Sequence, residues 1–214
     1  MTSDPANTIS EDNFRAHIEV LSSDEFEGRS PSSEGEEKTL EYLKTEFQQL
    51  GLEPGNGDSY LQEVPLIEMH SEYNDSMTIR DADGSIELDY KEDFMAISRH
   101  MEQDVAIHES DLVFAGFGIV APEYDWNDYE NLDVEGKTVI VLVNDPGYET
   151  NDDSLFNGKA MTYYGRWTYK YEEAARQGAA GVIIVHEPGA AGYPWGVVQN
   201  SWSGPQFYLE AEDN

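Results

Sequence analysis

The chain has 214 residues, enough for one full core or for one domain and part of a second. With 4 Trp, 13 Tyr and 8 Phe and 39% hydrophobic residues it is too apolar for a disordered chain, yet 44 Asp and Glu face only 12 Lys and Arg. The formal charge of -32 repels phosphate backbones and anionic bilayers, which argues against nucleic acid and membrane as partners.

The same charge repels itself. The Debye length is about 8 Å at about 0.15 M salt and about 3 Å near 1 M, so the compact state gains stability with salt. A saline source is expected, with a melting temperature that rises by several degrees from low to molar salt; a fall would contradict it. Cysteine is absent, which removes disulfides, thiolate catalysis and Cys-type zinc sites. No apolar run approaches the ~20 residues of a membrane helix. The opening "MTSDPANTIS" has neither a basic n-region nor an apolar h-region, so an exported protein would have lost its signal before this start.

Residues 1–8 read as a polar tail. Ile9, Phe14, Ile18 and Leu21 then fall near one helical face, with Ser10 as the cap. A second helix is predicted over about 34–50: Ser33 and Glu36 have capping-box spacing, Leu40, Leu43, Phe47 and Leu50 form the stripe, and Gly51 is the stop. "SYLQEVPLI" reads as extended, with Pro65 favouring an edge. From about residue 69 the pattern changes to short strands and turns, as for a new domain: "SMTIR", a "DADG" turn, "SIELDY", "DFMAIS" and "DLVFAGFGIV". "GKTVIVLV" is a fully apolar strand, "WTYKYEEAARQG" a helix closed by Gly178, and "AGVIIVH" a second apolar strand. Two buried strands joined by a helix predict a parallel pair in a mixed α/β domain.

Local chemistry is sparse. His186-Glu187 and His108-Glu109 open H-E pairs, but Ala190 and Leu112 stand where a zincin helix needs its second His. His17, His70 and His100 each precede a Glu by two residues, a pairing that chance explains among so many acids. His186, at the exit of a buried strand, reads as a hydrogen-bonded structural residue. "GFGIVA" fits a loose phosphate loop, yet Pro122 follows it instead of a helix. "DADG" lacks the spacing of an EF-hand; it leaves weak surface calcium at Asp81, Asp83 and Asp89 as an expectation. No G-x-S-x-G elbow is present, and nothing local nominates a catalytic group.

"LSSDEFEGRSPSSEGEEKTLEYLKTEFQQLGLEPGNGDSYLQEVPL" resembles the opening of the zinc aminopeptidases of metallopeptidase family 28, with their LSSDxxEGR turn, YL...F..LGL helix and DSYxQxVPL strand. "LVFAGFGIVAPEYDWNDYENLDVEGKTVIVLVNDPG" and "AMTYYGRWTYKYEEAARQGAAGVIIVHEPGAAGYPWGVVQNSW" resemble the protease-associated (PA) domain inserted in bacterial members. The resemblance spans about residues 10–208. Ser32 and Ser33 depart mildly from the family's commoner Gly-containing stretch.

It implies a mixed α/β fold. Residues 9–68 would be the helices and first strand of an incomplete α/β peptidase domain, 69–208 a β-rich α/β PA domain, and 209–214 a truncated acidic end. It also implies a secreted or periplasmic parent with two zinc ions. The zinc ligands and the general-base Glu of the family lie beyond the insert, so no catalytic or metal-binding residue carries over, and this chain alone is expected to be inactive. The Leu40, Leu43, Phe47 and Leu50 face is then expected to meet the missing catalytic domain or another copy. The alternatives are a stand-alone PA-type module that binds peptide or protein, and a subunit that completes a separate catalytic chain.

Residues 163–186 open with aromatics crowded around Arg166. By periodicity Ala174, Ala175, Ala179, Val182, Ile183 and Ile184 are core. Tyr163, Tyr164, Trp167 and Tyr171 with Arg166 can form a packed corner with one cation-π contact. The resemblance places the insert beside the active-site mouth, and on that reading Tyr164, Arg166, Trp167, Tyr193 and Trp195 line the substrate entrance, Arg being suited to a peptide carboxylate.

Overall fold

The computed structural model describes residues 9–150 and 152–210. The tail at 1–8 and positions 211–214 of the acidic end lie outside the described residues. The chain divides into two compact units: one runs up to Ser71 and resumes at Pro205, and the other is Glu72–Gly204.

In the first unit, α1 (Glu11–Leu21) starts where the Ser10 hydroxyl accepts from the Asn13 N–H at 3.3 Å. None of its residues is buried, and Phe14 and Ile18 are exposed. α2 (Glu34–Gln49) carries the capping box in a shifted form. The Ser33 hydroxyl accepts from the Glu36 N–H at 3.2 Å, while the Glu36 carboxylate takes the N–H of Ser32, at 2.5 Å, and not that of Ser33. Replacing Ser33 with alanine is expected to cost ~1 kcal/mol, read as an earlier loss of helical signal in urea. Gly51 closes the helix at φ 73°, where the N–H groups of Gly51 and Leu52 reach the carbonyls of Gln48 and Phe47. β1 (Leu66–Met69) follows Pro65 and finds its antiparallel partner at the far end of the chain, in β9 (Gln206–Leu209).

The second unit opens with a hairpin, β2 (Ser76–Arg80) and β3 (Ser85–Asp89). Its turn is held by Asp81, whose carboxylate accepts from the N–H groups of Asp83 and Gly84, both at 2.9 Å. The strand expected at "DFMAIS" does not form. Lys91 turns the chain back at φ 75°, the Asp93 carboxylate caps the Asp89 N–H at 2.9 Å, and only Phe94 bridges to Tyr90. "DLVFAGFGIV" is likewise not one strand. β4 (Leu112–Phe114) and β5 (Val120–Ala121) are separated by a bend in which Gly116 and Gly118 have φ 52° and 63°. A Cβ on Gly118 would lie 2.6 Å from Val141 Cγ1, so the bend is folded down onto the core.

β5 pairs with β6 (Trp126–Asn127). β7 (Thr138–Leu142), α3 (Pro146–Thr150), α4 (Trp167–Arg176), β8 (Gly181–Val185), α5 (Pro188–Ala191) and α6 (Trp195–Ser201) follow. β9 (Gln206–Leu209) then returns to the first unit, so Leu209 pairs with Leu66.

β4, β7 and β8 form one parallel sheet in the order β4-β7-β8, with α4 as the crossover from β7 to β8, as the two apolar runs predict. Val139 and Val141 are fully buried, and Ala115, Tyr129, Val134 and Ala174 close over them with Val182, Ile184 and Ala179 at the margin. Each such aliphatic side chain contributes roughly 1.5–3 kcal/mol. Ala175, expected in this core, is exposed, because α4 turns Ala174 and not Ala175 toward the sheet. A second cluster is built on Ile119, Ala121, Phe156 and Tyr169. The fold is therefore mixed α/β. No helix among the described residues is long and apolar enough to cross a membrane.

Candidate functional site

The carboxyl end of the parallel sheet is where the polar chemistry of the second unit collects, as strand ends do in open α/β sheets. β7 runs directly into Asn144 and Asp145, both buried. The Asp145 carboxylate accepts from the Gly147 N–H at 3.2 Å, the Thr162 N–H at 2.9 Å and the Thr162 hydroxyl at 2.7 Å. Asn144 donates its amide to the Ala190 carbonyl at 2.7 Å and accepts from the Asp145 N–H at 2.8 Å. Lys170 of α4 is 0% exposed and donates to the carbonyls of Phe117, at 2.5 Å, and Asn144, at 2.9 Å. One ammonium thus ties the Gly116–Gly118 bend to the end of β7. Burial pushes it down to about 7, against the opposing pull of Asp128 and Asp145.

This knot fixes a rim. Gly165 packs so closely that a Cβ would meet Asn144 Cα at 3.0 Å, and on Gly147 it would meet the Leu155 carbonyl at 2.4 Å. The segment between α3 and α4 is held by its backbone as much as by its side chains.

Five residues were candidates for a substrate entrance, and the structure sorts them into two aromatic groups. Tyr164 belongs to the first: its ring meets Phe156 at 5.7 Å and Tyr169 at 4.9 Å, both edge-on, and Phe156 stacks on Tyr124 at 4.2 Å. The Tyr164 hydroxyl donates to Glu123 at 2.6 Å, and that bond, with burial second, pushes its ionisation up to about 12. Trp167, Tyr193 and Trp195 belong to the second group. Trp167 lies 5.8 Å from Tyr193 and 5.6 Å from Trp202, and His186 lies 5.3 Å from Tyr193 and 5.7 Å from Trp195. The Trp195 indole donates to the Lys91 carbonyl at 2.8 Å.

Arg166 stands between the groups and is exposed. It makes none of the expected cation-π contact. The cations over rings among the described residues are Arg176, 5.5 Å from Tyr169, Lys170, 6.0 Å from Phe117, and Lys91, 5.8 Å from Tyr90. Among the described residues the Arg166 guanidinium has neither a hydrogen bond nor an ion pair. Its extended backbone, φ -80° and ψ 149°, separates the tight turn Tyr163–Gly165 from α4 and sends the flanking rings apart. Tyr171 sits near Arg99 and Tyr193, with burial as the main cause of its raised ionisation.

The imidazole of His186 is within 3.1 Å of the Tyr193 carbonyl, a structural contact. His17 is engaged by the Tyr42 hydroxyl at 2.6 Å and His70 by Glu68 at 3.1 Å. The calcium expectation meets a geometric obstacle. Asp89 pairs with Ser76 at the opposite end of the hairpin from Asp81 and Asp83, roughly four residues or about 13 Å along the strand. Among the described residues no three His, Asp or Glu side chains converge to hold a metal, so these residues do not fit the two zinc ions that the resemblance implies. A depression of about 280 Å³ is lined by Val120, Pro122, Asp125, Trp126, Asn127 and Glu130, none of them among the five candidates.

Lys170 and Asp145 were not singled out by sequence reasoning. The signal was there: Lys170 lies one helical turn before the core residue Ala174, and Asp145 follows directly on an apolar strand.

Residues 109–208 match the PA domain. The second unit is thus built on a protease-associated module. No curated protein and no solved structure matches the chain.

Proposed function

We propose that the chain is the N-terminal part of a secreted zinc aminopeptidase, in which the PA unit borders the active-site entrance and limits which peptides reach it. The observation that carries this reading is the way the second unit interrupts the first. The first unit breaks off at Ser71 and resumes at Pro205, and the strands flanking the interruption, β1 and β9, pair antiparallel. An insertion of this kind is what the resemblance to metallopeptidase family 28 implies.

In this reading the first unit belongs to a larger domain. Among the described residues its sheet has two strands, fewer than the three or more that stand alone in water. Leu43, Phe47 and Leu50 on α2 are exposed, and Leu50 reaches 73%. Further strands of a catalytic α/β domain would cover that face, at roughly 1.5–3 kcal/mol per side chain buried. In this proposal Arg166 and the Trp167, Tyr193 and Trp195 group face the incoming peptide, with Tyr164 as part of the wall behind them. The zinc chemistry belongs to residues other than those described, so no catalytic step is assigned to this chain.

Reading the encoding gene past the codon for Asn214 tests the proposal. An open frame with a His-x-Asp after an apolar strand, then acidic ligands and a late His, is expected. A stop codon there would overturn it in favour of a binding module or a subunit that completes another chain.

A further inference from the structure

We propose that the outer edge of β8 receives an extended peptide as an added strand, running parallel to β8 so that its C-terminal carboxylate meets Arg166. This rests on the reading of the Trp167, Tyr193 and Trp195 surface as peptide-facing, and adds to it a binding mode and an orientation.

The sheet order β4-β7-β8 leaves β8 with one side unpaired. Peptide groups along such a strand alternate in direction. Those of β8 that face away from β7 have no hydrogen-bond partner among the described residues. The strand reads Gly-Val-Ile-Ile-Val, without the Lys, Pro or bulge that blunts an exposed edge, and Val185 is 43% exposed. A row of open donors and acceptors at strand spacing is complementary to one kind of ligand, the main chain of an extended polypeptide.

The orientation comes from charge. Trp167 and Tyr193 pack with Ile184 against Val143, Ala190 and Ala191, which places Arg166, next to Trp167, at the carboxyl end of β7 and β8. In a chain with 44 acids, its guanidinium is nevertheless without a carboxylate among the described residues. In the proposed pose a peptide parallel to β8 ends at that guanidinium, and a free C-terminus supplies the missing bidentate partner. An antiparallel peptide would bring an ammonium there instead.

The test uses a fluorescein-labelled hexapeptide of alternating Thr and Val, as free acid, as C-terminal amide, and in two N-methylated forms that block opposite sets of alternate amides. Anisotropy is read against the chain and against Arg166→Ala, an exposed position whose replacement is expected to leave the circular dichroism spectrum unchanged. The free acid is expected to bind at least tenfold more tightly than the amide, a difference that vanishes in Arg166→Ala. One N-methylated form should lose at least tenfold and the other should bind like the parent. Binding that is indifferent to both N-methyl patterns and to the amide would overturn edge docking while leaving a peptide-facing aromatic surface in place. Absence of binding by every form would overturn both.

Discussion

Lys170→Ala is expected to destabilise the PA unit by about 3–5 kcal/mol, seen as a lower urea midpoint for the second unit. The substitution strips the donor from two carbonyls, Phe117 and Asn144, and removes the positive charge that faces Asp128 and Asp145. Lys170→Met keeps much of the packing of the stem and isolates the charge. The wild-type ammonium has its ionisation lowered to about 7 by burial, against about 10.4 in an unfolded chain. Between these values the unfolded state holds the extra proton, so the wild type gains stability relative to Lys170→Met as pH rises from about 7 to about 10. The gain is lost progressively as pH falls from about 10 to about 7, and below that the difference is flat. A difference that fell with rising pH would contradict the assignment of a buried, depressed lysine.

Asp145→Ala should cost nearly as much, on the order of 2–5 kcal/mol, by a different route. Its carboxylate accepts three hydrogen bonds, two of them from the backbone N–H groups of Gly147 and Thr162, and it anchors both ends of the segment between α3 and α4. Backbone donors left buried and unpaired cost more than the bonds themselves contribute. Asp145→Asn retains shape and one acceptor but turns an NH₂ toward one of these donors, so an intermediate cost is expected. Hydrogen exchange reports the effect directly: the amides of Gly147 and Thr162 should lose protection before the amides of β7 do. Equal loss across the unit would mean that Asp145 supports the whole core and not this rim.

Much of the architecture was legible because local chemistry and tertiary structure agree. Ser33, Gly51, Asp81 and Gly84 each serve the cap, stop or turn that their type predicts, and the two apolar runs at 138–142 and 181–185 pair in parallel through α4. The failures occur where a side chain or glycine overrides an apolar pattern. Asp93 and Lys91 fold back a segment with strand composition, and Gly116 and Gly118 break another so that it can approach Val141.

The site was less legible. Sequence proximity grouped Tyr164 with Trp167, but a single extended residue between a tight turn and a helix sends them to different clusters. Lys170 and Asp145 escaped notice because a charged residue in an acidic chain reads as surface. Only the packing reveals that both are fully enclosed.

In the proposed reading the PA unit governs peptide access to a zinc aminopeptidase. The most direct measurement is steady-state hydrolysis by the product of the full reading frame, comparing an amino-acid nitroanilide with a tetrapeptide, for wild type and Arg166→Ala. The account predicts chelator-sensitive release of N-terminal residues, with Arg166→Ala raising KM for the tetrapeptide about tenfold, the loss of a contact worth about 1.4 kcal/mol, while kcat and the nitroanilide kinetics stay unchanged. No release of N-terminal residues, or an equal effect of the substitution on both substrates, would contradict it.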